Sequence, residues 1–191
     1  MKKNIQVAID SPAAAGAGTQ AKLIAKQYNL FYLDTGKIYR FLGHQKIKDQ
    51  KKFNSSLFKK KIRNIKMKNL NNKDLLSNKV AIQASIIAKD PKIRKIIYNF
   101  QTKCAYHPPK KFKGSVLDGR DITSVIMKDA MFKFFITADI KIRAKRRFNE
   151  YRDLKKKITY REVLKTLRKR RKKRPCPNRN VQGKLWGPKC T

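Results

Sequence analysis

The chain has 191 residues, 40% of them hydrophobic, with 50 Lys+Arg against 12 Asp+Glu and a formal net charge of +38. That length and apolar content fit one globular domain able to enclose a core without disulfide or metal staples, and two independent domains would be cramped. The charge lies far outside the usual range for an enzyme and has two readings: a polyanion partner bound through counterion release, or surface positions filled with Lys by AT-rich codons. Trp and Tyr are not interleaved with the basic runs as stacking platforms would be, so charge alone decides little and nonspecific nucleic-acid binding stays open. Cys104, Cys176 and Cys190 lack the paired short spacings of a zinc site or disulfide framework, so free thiols and no metal centre are expected.

In chain order, residues 5–9 form a short β-branched run suited to a strand buried on both faces of a parallel sheet. The apolar run is too short for a signal peptide or a membrane span, and a cytoplasmic protein without a membrane partner is expected. A small-residue turn at 11–18 follows, then a helix carrying Ala21, Leu23, Ile24, Ala25 and Tyr28 on one face. Residues 30–33 read as a second strand, completing an α/β opening.

Residues 44–78 are rich in Lys and Asn and poor in large apolar side chains, so a small mobile insert with little share in the core is expected. Helical patterning returns at 80–88 and at 91–104, with Pro91 as a first helical residue. Residues 115–117 and 131–136 are further strands, each followed by polar residues at the edge where parallel sheets bind ligands. Basic helices are expected at 140–151 and 160–172, and an aperiodic tail from Arg174.

The turn from Ser11 to Thr19 has the small residues a phosphate-binding loop needs, so that backbone N–H groups converge on phosphate oxygens at a helix N-terminus. The usual signature has Lys where Ala17 stands and Gly where Ser11 stands, so this segment alone fits either a nucleotide loop or a simple tight turn. Downstream come Asp34-Thr35-Gly36 with Tyr39-Arg40, Ala84-Ser85 with Arg94, Asp118-Gly119-Arg120-Asp121, and Arg143 through Arg147.

In that order these segments resemble the cytidylate kinases, over about residues 5–170. The resemblance implies an α/β, P-loop NTPase-like three-layer fold with a central parallel sheet, a small insert and a basic lid. It also implies transfer of the γ-phosphoryl of MgATP to CMP or dCMP, with Mg2+ held mainly through the ATP phosphates. Ala14, Ala15, Gly16, Ala17, Gly18, Thr19 and Arg147 would then meet ATP. Arg40 and Arg120 would hold the acceptor phosphate, and Ser85, Arg94 and Asp121 would read the cytosine edge. Thr35 stands at the family's small hydroxyl position beside the acceptor, and Arg170 completes that set. Arg143 and Arg146, with Arg120, would act on the transferring group as the lid closes.

Two departures bear on activity. Ala17 removes the lysine aimed at the β- and γ-phosphates, a loss of about 3–4 kcal/mol or roughly 10²- to 10³-fold in rate, which Lys22 could offset if it folds back. Past Arg170, Arg171, Arg174 and Pro177 stand where the family's Asp, second Asp and Arg are expected. The last strand and helix of the family are missing from the pattern. A kinase domain over 1–173 and an atypical basic tail over 174–191 are expected, the change being what a shifted frame or truncated gene would produce, with a specialised tail as the alternative. A sheet edge would stay uncovered. The rival from another class is a non-enzymatic protein binding CMP or RNA.

Overall fold

The structure is a computed structural model describing residues 4–49, 55–65 and 67–173, with the side chains of Ser55, Asn78 and residues 170–173 outside that description. Four strands, β1 (Ile5–Asp10), β2 (Phe31–Asp34), β3 (Gly114–Gly119) and β4 (Phe132–Phe135), make one sheet in the order β2-β3-β1-β4. Every pairing is parallel. The chain therefore crosses over between strands through helices, which is the α/β architecture the sequence predicts.

Local chemistry places the helices. Helix α1 (Ala17–Tyr28) opens directly from the small-residue loop. Asp34 caps α2 (Thr35–Lys48), its carboxylate accepting from the Lys37 amide at 3.2 Å. Short helices α3 (Ser55–Arg63) and α4 (Met67–Leu70) and a 3₁₀ turn at Lys73–Leu76 follow. Ser77 caps α5 (Asn78–Ile87), and Asp90 caps α6 (Pro91–Tyr106) with Pro91 in its first turn, as read from the sequence. The sequence pattern did not predict α2, because its apolar positions are broken by Gly, His and Lys.

The described residues fall into two compact units, 4–11 with 17–135 and 12–16 with 136–173. In the first, Ala8, Leu33, Ile38, Leu42, Ile97 and Leu117 are fully buried between sheet and helices. Gly43 lets α2 and α5 approach closely: a Cβ there would lie 2.9 Å from the Ala84 amide nitrogen. The second unit pairs α7 (Ile140–Asp153) with α8 (Tyr160–Lys173) around Ala144, Val163 and Leu167.

The expectation that residues 44–78 contribute little to the core is overturned. Residues 44–48 continue α2, and Phe58, Ile62, Leu70 and Leu75 are buried in the main core. The four-residue spacing of Phe58 and Ile62 gives a narrow apolar stripe that suffices for docking although lysines crowd the remaining positions. Among the described residues β4 pairs only with β1, and Phe132 and Phe135 are exposed. The predicted tail, with Arg174, Pro177, Cys176 and Cys190, lies outside the described residues. Cys104 is a free thiol, which burial pushes up to about 11.

Candidate functional site

The carboxyl ends of β1, β2 and β3 each carry an aspartate: Asp10, Asp34 and Asp118. Asp10 organises the segment after β3. Its buried carboxylate accepts from the Ile122 amide at 2.7 Å, the Thr123 amide at 3.0 Å and the Thr123 hydroxyl at 2.5 Å. That clamp holds the π-helical turn Ile122–Ile126, and with it Arg120 and Asp121 at the turn's entrance. Arg120 donates to the Ser11 carbonyl, and buried Thr35 donates to the Asp118 carbonyl at 2.8 Å.

Asp118 is buried, and its Oδ1 has no hydrogen-bond partner. Burial and then the Asp34 carboxylate push its carboxyl up to about 7, opposed by the Tyr32 hydroxyl and by the charges of Arg120 and Lys37. A Cβ on Gly18 would lie 3.7 Å from Asp118 Oδ2 and 3.4 Å from the Tyr32 hydroxyl, so α1 starts against this carboxylate.

Beside α6 lies a cavity of about 380 Å³, lined among others by Tyr39, Arg94, Tyr98, Gln101, Asp121 and Ile126. Arg94 Nη2 and Asp121 Oδ2 are 2.8 Å apart, an ion pair that offers the cavity a fixed donor beside a fixed acceptor. Of the predicted acceptor residues, Thr35, Arg40, Ser85 and Arg120 are not part of this lining. Arg40 on α2 donates to the Leu75 carbonyl at 2.7 Å, and Ser85 is exposed on α5 with its hydroxyl donating to the Ile82 carbonyl at 2.7 Å.

In the second unit the loop 12–16 carries Ala14 at φ 59° and Gly16 at φ 99°, left-handed conformations that shape its turn and that only Gly adopts without strain. Arginines of α7 reach its backbone. Arg146 Nη1 donates to the Ala15 carbonyl at 2.9 Å, and the mostly buried Arg143 donates to the Ala13 carbonyl at 3.4 Å. Arg147 pairs instead with Glu150 at 2.7 Å and lies over the Tyr151 ring.

This set of strand-end aspartates, loop, cavity and basic helix is accompanied by a clear match in sequence. The cytidylate kinase family model matches residues 7–181. The chain belongs to the cytidylate kinase family. It is 36% identical over 167 residues to a cytidylate kinase of Rhodospirillum rubrum, covering 86% of this chain and 78% of that protein. It is 40% identical over 173 residues to one of Bartonella tribocorum, covering 88% and 77%. It is 35% identical over 178 residues to one of Fusobacterium nucleatum, covering 87% and 79%. The family match runs eight residues past Lys173, beyond the point where the motif pattern breaks.

Of the predicted family residues, Arg94 and Asp121 meet at the cavity, Thr35 and Arg120 lie at the sheet's carboxyl edge, and Arg143 and Arg146 meet the loop. Ala17, Gly18 and Thr19 form the first turn of α1, with Ala17 buried. Lys22 is exposed on α1. Arg170 lies in α8, and its side chain is outside the described residues. Asp10, Tyr98 and Gln101 were not singled out in the sequence, though an aspartate closing a buried strand is a signal that could have been used for Asp10. Among the described residues no three His, Cys, Asp or Glu side chains gather as a metal site, and no helix is long and apolar enough to cross a membrane.

Proposed function

We propose that the protein moves the γ-phosphoryl group of ATP to CMP or dCMP, giving the diphosphate, and that it does so in the cytoplasm. The observation that carries the acceptor assignment is the Arg94–Asp121 pair at the wall of a cavity within the usual size of ligand pockets. Cytosine presents an exocyclic amine donor next to a ring-nitrogen acceptor, and uracil presents the inverse. An acceptor-only carboxylate beside a donor-only guanidinium matches the first pattern and opposes the second.

Arg120 and Arg40 supply planar forks for the acceptor phosphate, and Arg143 and Arg146 supply positive charge to the loop that takes the donor. Phosphoryl transfer needs positioning and charge neutralisation and no covalent enzyme intermediate, so no side chain need serve as a nucleophile. With Ala17 in place of lysine, the backbone of the loop and the hydroxyl of Thr19 remain for the phosphates.

Mg2+, which this chemistry uses with ATP, would be held mainly through the ATP phosphates and would neutralise their charge.

The test is ADP release from MgATP with CMP, dCMP, UMP or AMP as acceptor. Turnover with CMP and dCMP well above that with UMP and AMP is expected. Equal rates with all four, or none with CMP, would remove the acceptor assignment, and binding of any polynucleotide with steep salt dependence would then favour the polyanion reading.

A further inference from the structure

We infer that Gln101 is a further determinant of acceptor binding, its carboxamide hydrogen-bonding the pyrimidine base held at the Arg94–Asp121 pair; this rests on the reading of the cavity as the acceptor site. Helix α6 buries Ile93, Ile97, Gln101 and Ala105, each four residues after the last. Gln101 thus occupies a core position in a stripe that otherwise takes apolar side chains. It is 2% exposed, and it lines the cavity. No hydrogen bond of its side-chain amide is seen among the described residues, and the amide is not among their fully buried unpartnered groups, so it stays open to the cavity.

A carboxamide holds one acceptor and two donors, and burying them unpaired is unfavourable unless something else satisfies them. At a cavity wall that something is the occupant. An uncharged amide is poorly suited to a phosphate, which arginines bind far better, and well suited to the edge of a base. The amide can turn end over end, so it can follow either the cytosine pattern or its inverse in uracil. Arg94 and Asp121 cannot exchange roles in this way. Gln101 therefore strengthens pyrimidine binding without choosing between cytosine and uracil, and the choice falls to the ion pair.

The experiment compares wild type with Gln101→Leu and Gln101→Met by calorimetric titration with CMP and UMP, together with thermal unfolding without nucleotide. Both Kd values are expected to rise about tenfold, the loss of one hydrogen bond, with the CMP to UMP ratio unchanged. Tm without nucleotide should change little, because the amide is open to the cavity rather than sealed in the core. An unchanged Kd for CMP in a folded variant overturns the inference, as does a collapse of the CMP to UMP ratio. If neither variant folds, Gln101 is structural and the inference falls. If wild type itself does not distinguish CMP from UMP and AMP, the acceptor reading of the cavity fails first.

Discussion

Arg94 and Arg146 are both guanidiniums beside proposed nucleotide sites, yet their surroundings differ. Arg94 is locked at 2.8 Å to the Asp121 carboxylate, whereas Arg146 donates to a neutral carbonyl of Ala15. A guanidinium paired with a carboxylate has most of its charge compensated and serves as an oriented donor, suited to reading a base. One that leans on a carbonyl keeps its charge for an anion. On the proposed reading the cavity is suited to discrimination and the loop to charge, and the loop is where Ala17 stands at the position the resemblance gives to a lysine.

The largest expected effect sharpens that contrast. Ala17→Lys should raise kcat by roughly 10²- to 10³-fold, about 3–4 kcal/mol, while leaving the Kd for CMP unchanged; steady-state kinetics with a CMP titration checks both halves. A variant with unaltered kcat would mean that charge at the loop does not limit the reaction.

Next is Asp118, which stands apart from both arginines. Its folded-state carboxyl holds a proton up to about pH 7, whereas in the unfolded chain it ionises near pH 4. The folded state binds the extra proton between those values. Wild-type stability should therefore fall as pH rises from about 4 to 7 and then level off, by at most about 4 kcal/mol. Asp118→Asn should flatten this slope in urea titrations across that range, and an unchanged slope would place the carboxyl in a more solvated setting than the structure gives it.

The smallest effect breaks the reading side. Asp121→Asn turns an acceptor-only group into one that can also donate, and should narrow the preference for CMP over UMP by about tenfold with little change in kcat for CMP. Retention of full selectivity would show that the ion pair does not face the base.

Several elements were legible because their causes are local. A β-branched run reads as β1, Asp90-Pro91 reads as a helix start, and the Asp118-Gly119-Arg120-Asp121 segment sits at a strand end because polar residues follow an apolar run. The family itself was legible from an ordered series of short motifs. The share of residues 44–78 in the core was not, since two or three apolar side chains among lysines signal burial only when a partner surface is known. Ser85 was expected beside Arg94 and Asp121 and instead turns its hydroxyl to the Ile82 carbonyl of its own helix.

What the sequence by itself determined is the α/β order of elements, the small-residue loop between β1 and α1 and the membership of a nucleotide-handling family. Those follow from periodicity, capping and motif order, all set within a few residues. Only the tertiary structure decided that Arg94 pairs with Asp121 across 27 residues, that Asp10 clamps Ile122 and Thr123 across more than a hundred, and that Gln101 faces a cavity rather than solvent. Such contacts depend on how strands and helices stack, and a side chain's environment, hence its charge and its hydrogen bonds, exists only once that stacking is made.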